Sequence, residues 1–296
     1  MKYIPCIFLK EGIETIQPSP MSGVDYHTLS SGLEFIEKYK NQGMIDFLVF
    51  GSTDNKSIDF ACENGLIKNF IKEAKEKYGN TINIHADVGL SPYSADGHST
   101  VMKDGVIDYE KSYELATKLA LTFAEAGADY VAPCLSLHDQ VKVLRKALDE
   151  SVYKNTKVHA YSSKFSSSLY GPYRQTIQSP LRDEDKKVYQ TDYANPEEAL
   201  NQITIDQEQG ASIVMVKPAM IYLDIVYRAR QMTKSPLSVY HVSGEYSMIK
   251  EAAKAGLIDE NEAFDEIHAG FSRCNVDYVI GYAPDHFIRW TKKHNN

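Results

Sequence analysis

Eight short runs of β-branched and aromatic residues recur along the chain, and they limit its fold more than any other feature. They occupy 3–9, 46–50, 81–86, 129–132, 157–161, 212–217, 237–241 and 277–282. Each is apolar on both faces, as strands of a covered parallel sheet are. Most are separated by helical patterns. Residues 109–126 carry Leu115, Leu119 and Phe123 at helical spacing and stop at Gly127. Residues 141–148, 196–209, 221–232 and 248–255 read similarly, and Pro196 suits a helix start. Eight strands alternating with helices in 296 residues favour a (β/α)8 barrel over an open sheet. No linker, repeat or low-complexity segment breaks the pattern, so one α/β barrel domain is expected over 1–296. Its longest irregular stretch, 162–195, reads as a lid.

The remaining composition excludes several roles. The formal net charge is −8 and no basic run appears, which argues against nucleic acid as a partner. The apolar stretch 212–216 is far too short to cross a bilayer. The N-terminal MKYIPCIFLKEG lacks a small-residue cleavage site and reads as a first strand. Cys6, Cys62, Cys134 and Cys274 show no CxxC spacing, which fits a reducing cytoplasm and supplies no zinc motif.

Within this barrel, two lysines stand out. Lys164 lies in VHAYSSKFSSSLYGPYR (158–174) and Lys217 in IVMVKPAMIYLD (213–224), each where a strand runs out. Burying an ammonium is costly, so such an amine tends to lose its proton. A neutral lysine is a nucleophile for carbonyl carbon. Two of them suggest that two carbonyl substrates are held covalently and joined. Catalytic groups of these barrels gather at the C-terminal ends of the strands. Asp87, Cys134, Ser243 and Tyr282 fall at or just after predicted strand ends as well.

Several longer segments resemble the 5-aminolevulinate dehydratase (porphobilinogen synthase) family. They are IFLKEGIETIQPSPMSGV (7–24), HADVGLSPYSADGH (85–98), EAGADYVAP (125–133), YSSKFSSSLYGPYR (161–174), DKKVYQ (185–190), VMVKPAMIYLDIV (214–226) and VYHVSGEYSMIKEAAKAG (239–256). The resemblance runs over nearly the whole chain. It implies a Schiff-base-forming lyase of tetrapyrrole (heme) biosynthesis that condenses two molecules of 5-aminolevulinate to porphobilinogen. Lys217 matches the lysine that forms a Schiff base with the first substrate, and Lys164 its partner for the second. Ser243 and Tyr282 match the residues that hold the first carboxylate. Arg174, Lys186 and Gln190 match the lid residues that hold the second. Lys186 keeps the charge of the arginine found in some members but loses its bidentate fork. Asp87 matches an acidic residue beside the second site, and Tyr170 a lid aromatic.

Three departures qualify the resemblance. Where family members carry metal-binding cysteines or aspartates, this chain has Gly89, Ser91 and Ser99. Two hydroxyls and a glycine make no divalent site, so no active-site metal and no cofactor are expected. A structural or allosteric magnesium stays open. Second, the family's serine after the AP pair is Cys134, and its MDG motif is Leu137, His138 and Asp139. Cys134 reads either as a reactive thiol or as inert packing. His98 and the two serines read as turn and loop residues. Third, the family's N-terminal arm is missing, so a homo-oligomer of dimer size or larger is expected to form without it. The differences gather on the second-substrate side. Two other readings therefore stand beside the leading one. One is a paralogue that binds 5-aminolevulinate at Lys217 and makes a different product. The other is a non-catalytic barrel that binds an aminoketone.

Overall fold

The computed structural model describes residues 1–179 and 186–294. All eight expected strands form, and all run parallel. They are β1 (Lys2–Lys10), β2 (Asp46–Ser52), β3 (Asn83–Val88), β4 (Tyr130–Pro133), β5 (Lys157–Lys164), β6 (Ile213–Lys217), β7 (Leu237–Tyr240) and β8 (Tyr278–Gly281). Each pairs with the next, and β1 closes the ring by pairing with β8 from Lys2↔Tyr278 to Pro5↔Gly281. The result is the closed (β/α)8 barrel that the alternating pattern implies.

The two-sided burial that made the strands legible has a direct structural cause. In β1, Ile4, Cys6 and Phe8 join the interior cluster, while Tyr3, Ile7 and Leu9 join the layer between strands and helices. The alternation follows the pleat, because successive side chains leave a strand on opposite faces. The helices close the outer layer. Tyr109–Glu125 is capped by the Asp108 side chain accepting from Lys111 N at 3.0 Å, and it buries Leu119 and Phe123. Pro196–Glu208 starts with proline at its first turn and with Asn195 Oδ1 accepting from Glu198 N at 3.2 Å.

Some elements were not read from the sequence. Helices Leu29–Lys40, Leu66–Tyr78, Glu260–Arg273 and Pro284–His294 complete the outer ring. A small hairpin, Val101–Lys103 with Val106–Asp108, follows β3. The expected start of the third strand at residue 81 is instead the 3-10 turn Gly79–Thr81. The stretch 162–195 is less irregular than expected. Ser162–Lys164 remain in β5, and Gly171–Thr176 forms a short helix with proline in its first turn. Part of that lid, residues 180–185, lies outside the described residues.

Inside the barrel, near the N-terminal ends of the strands, sits a polar layer. Asp46 Oδ1 lies 3.3 Å from His85 Nε2, His85 Nδ1 lies 2.9 Å from His159 Nδ1, and His159 Nε2 lies 2.8 Å from Ser238 Oγ. Ser238 Oγ donates onward to Val214 O at 3.1 Å. Each member satisfies the next, as buried polar groups require. Burial, followed by the neighbouring His85, holds His159 well below the usual imidazole range, so it stays neutral. The chemistry-bearing residues lie at the opposite end.

Candidate active site

The two lysines are register partners. Lys164 ends β5 and Lys217 ends β6, and the pairing Lys217↔Lys164 follows a register shift after Val214. That shift brings two amines side by side on adjacent strands. Both are buried, at 7% and 6% exposure, where charged lysine is rarely found. The backbone holds the strand ends together: Phe165 N donates to Lys217 O at 2.9 Å. Tyr170 Oη adds a second clamp, donating to Phe165 O at 2.7 Å and reaching Lys217 O at 3.2 Å.

Their surroundings differ. Lys164 Nζ donates to Cys134 O at 2.6 Å. Lys217 Nζ instead lies over four tyrosine rings, with centroids at 4.1 Å (Tyr240), 4.8 Å (Tyr161), 5.4 Å (Tyr170) and 5.5 Å (Tyr173). Burial first, then repulsion from Lys164, pushes Lys217 down to about 7. A substantial fraction is then neutral amine at neutral pH, the form that attacks a carbonyl.

Asp87, at the end of β3, lines the same cavity and feels the field of both lysines. Burial raises its pKa, partly offset by Lys217 and then Lys164. Cys134 lies beside it, with Sγ 3.6 Å from Asp87 Oδ2. Burial pushes the Cys134 thiol up to about 12, so it is a protonated thiol and a poor nucleophile. Of the two readings of Cys134, the environment favours packing.

The lid residues converge on the same space. Arg174, Lys186 and Gln190 all line the cavity, and each is less than a tenth exposed. The Arg174 guanidinium carbon lies 5.9 Å from the Tyr170 ring centroid. Lys186 Nζ donates to Ser99 Oγ at 3.3 Å. Burial, then Lys164 and Arg174, pushes Lys186 down to about 7. Ser91 also lines the cavity. His98 belongs to the turn expected there: its amide donates to Asp96 Oδ1 at 3.0 Å.

Two expected residues lie off this cavity. Ser243 starts a helix, and its Oγ accepts from Tyr173 N at 3.0 Å and donates to Leu169 O at 3.3 Å. It therefore docks the lid segment. Tyr282 follows β8, and its Oη lies 2.8 Å from Tyr240 Oη, behind the tyrosine nearest Lys217. It lines a neighbouring cavity of about 300 Å³ together with Cys6. Tyr161, Tyr173 and Tyr240 had not been singled out. An excess of tyrosine, 20 against 11 phenylalanines, was the available signal.

Known proteins resemble this chain over most of its length. Residues 1–290 match the family model described as delta-aminolevulinic acid dehydratase. The delta-aminolevulinic acid dehydratase of Bacillus subtilis is 36% identical, covering 97% of this chain and 90% of that protein. The Escherichia coli protein of the same name is 38% identical, covering 83% and 76%. The crystal structure of delta-aminolevulinic acid dehydratase (porphobilinogen synthase) from Toxoplasma gondii, in complex with its reaction product porphobilinogen, superposes with a TM-score of 0.93. It is 32% identical and covers 99% of this chain and 85% of that one. A dihydropteroate synthase from Coxiella burnetii, at 12% identity and a TM-score of 0.55, shares the fold alone.

Proposed function

The chain belongs to the delta-aminolevulinic acid dehydratase family, and from that premise we propose that it condenses two 5-aminolevulinate molecules through imines on Lys217 and Lys164, with no divalent ion in the active site. The activity is porphobilinogen synthase. The observation that carries the residue assignment is the pairing of two buried lysines at adjacent strand ends, in one cavity with Asp87.

Neutral Lys217 attacks the ketone carbon of one substrate, and the carbinolamine takes up one proton and loses water, giving an iminium. The iminium draws electrons from the adjacent carbon, which can then lose a proton and attack the carbonyl carbon of the other substrate. Asp87 is the nearest buried carboxylate to accept that proton. Lys164 holds the second substrate in the same way. Arg174, Lys186 and Gln190 take up its carboxylate, with two of the three supplying charge-assisted hydrogen bonds. Ser243 and Tyr282 serve the first substrate's carboxylate once the lid segment that Ser243 now holds has shifted.

The donor set at Gly89, Ser91 and Ser99 does not fit a divalent ion. Position 89 has no side chain, and a Cβ built there would lie 2.5 Å from Cys134 Sγ. Ser99 Oγ already faces the Lys186 ammonium. Among the described residues, no three His, Cys, Asp or Glu side chains gather to hold a metal. We assign no step to a metal ion.

The expected biological unit is a dimer or larger, in the cytoplasm, with one barrel domain and its lid over 1–296. Among the described residues, no helix is long and apolar enough to cross a membrane. The test is incubation of chelator-treated protein with 5-aminolevulinate, then mass spectrometry of the product and of borohydride-trapped protein. Porphobilinogen with an adduct on Lys217 or Lys164 is the expected result. A product of different mass would favour the paralogue reading motivated by Gly89 and Cys134. No turnover at all would overturn the synthase assignment.

A further inference from the structure

Imine formation changes what a lysine needs from its surroundings. An ammonium carries three N–H donors and is well served by oxygen acceptors. The iminium made from it keeps the positive charge with a single N–H. A site built from acceptors would lose partners as the covalent bond forms. A site built from aromatic faces would not, because a ring attracts the charge through its quadrupole, whatever the number of N–H groups.

The two lysines divide along this line. Lys164 sees one tyrosine ring, at 5.9 Å, and gives a hydrogen bond to Cys134 O. Lys217 is surrounded by four tyrosine rings, the nearest at 4.1 Å. Among the described residues, it makes no ion pair and no hydrogen bond through Nζ.

We propose that Tyr240, with Tyr161, Tyr170 and Tyr173, forms an aromatic cage that holds the positive charge of the Lys217 iminium. The inference rests on the imine reading of Lys217 given above. Tyr161 belongs to β5 and Tyr240 to β7, so half the cage is barrel wall. Tyr170 and Tyr173 belong to the segment after β5, so the other half is lid. Two of the four rings are held by their hydroxyl groups. Tyr240 Oη lies 2.8 Å from Tyr282 Oη and 3.3 Å from Cys6 Sγ, and Tyr170 Oη is tied to the backbone at Phe165 and Lys217. These anchors leave the faces to the lysine. Tyr240 is fully buried and Tyr161 nearly so, which removes the competing attraction of water for the cation. A carboxylate in the same place would hold an ammonium at every pH of interest and suppress the nucleophile. The ring faces attract more weakly, so the amine can be neutral before attack and the cation is still favoured afterwards.

The test grades the ring and leaves its shape unchanged. In the full chain, Tyr240 is replaced by phenylalanine and then by mono-, di- and trifluorophenylalanine. The equilibrium constant for imine formation on Lys217 is read by borohydride trapping and peptide mass spectrometry against 5-aminolevulinate concentration. Each fluorine drains the ring face while barely changing its size. The cage predicts a stepwise fall, about tenfold across the series. A flat series with trapping intact overturns the cage and leaves the imine reading standing. Absence of any Lys217 adduct in the unmodified protein overturns the imine reading and the cage with it. Should Tyr240→Phe fail to fold, the same series at Tyr173 decides, with a shallower fall expected from its greater distance.

Discussion

Substituting Gly89 with alanine tests how the second-substrate side is packed. The added Cβ would meet Cys134 Sγ at 2.5 Å and Asp87 Oδ2 at 3.2 Å. Carbon atoms in good contact sit about 3.5–4.0 Å apart, so the first overlap is on the order of 1 Å. Relief can come from a turn of the thiol about its single rotatable bond or from a shift of the β4 end. Cys134 is buried, and its own carbonyl holds Lys164 at 2.6 Å, so a backbone shift would also disturb a lysine of the site. Overpacking of this kind costs about 1–3 kcal/mol. Taking about 2 kcal/mol, and about 2–4 °C per kcal/mol for a large domain, Gly89→Ala should lower Tm by roughly 4–8 °C. Removing the thiol should relieve it. In Gly89→Ala/Cys134→Ala the new methyl occupies space that Sγ vacates, so the pair should be less destabilised than the sum of the two singles by about 1–2 kcal/mol. The assay is thermal unfolding of the four proteins, read by circular dichroism at one protein concentration. Equal losses from Gly89→Ala with and without Cys134 would refute the reasoning, since the clash would then not involve the thiol.

Three further outcomes follow from the same cavity. Lys217 is held near 7 by burial, so the rate of imine trapping should fall as pH drops below about 7 and the amine gains its proton. Lys186 is pushed to about 7 as well, but its useful form is the cation, so substrate affinity should fall as pH rises above that value. Lys186→Arg keeps its charge throughout and should abolish the alkaline limb; persistence of that limb in initial-rate profiles would assign it elsewhere. Arg174→Ala should weaken substrate binding by at least tenfold, as loss of a charge-assisted hydrogen bond does. It should leave Lys217 trapping at saturating substrate unchanged, and equal loss of both would contradict a role confined to carboxylate binding.

The barrel was legible in sequence because its strands are buried on two faces. β2, β4, β6 and β7 have no exposed residue, so apolar side chains dominate their runs. The lysines were legible for the opposite reason, as charges ending such runs. The helix Glu260–Arg273 was missed because its buried residues include Asp265 and His268, which dilute the apolar stripe. The cage was hidden by a different ambiguity. An aromatic residue in a strand reads as core, and Tyr161 and Tyr240 are core by burial. Only the registers of β5 and β7 against β6 bring these two rings to one amine, and the lid adds Tyr170 and Tyr173. Ser243 shows the same limit: its place at a strand end was readable, but not its hydrogen bonds to Leu169 and Tyr173.

Charge ties these observations together. Among the described residues, one small cavity is lined by Lys164, Lys186, Lys217 and Arg174, with Asp87 the only acidic side chain beside them. Burial first, and then repulsion between like charges at such range, pushes two of the lysines to about 7. A divalent ion would add to that repulsion, and the proposal of a metal-free site is supported by the lack of room for a side chain at Gly89 beside Cys134 Sγ and by the hydrogen bond from Lys186 Nζ to Ser99 Oγ. The proposed substrates bring carboxylates to this cavity. Each 5-aminolevulinate carries a carboxylate as well as its amino group, and in the proposed reaction each ketone turns one lysine into an imine. Binding then sets two carboxylates among the cations of the cavity, while the cage keeps the cation that the chemistry requires at Lys217. On this argument Lys186 and Cys134 act together: the thiol fills the space that a side chain at position 89 would need, and Lys186, while protonated, supplies positive charge beside it.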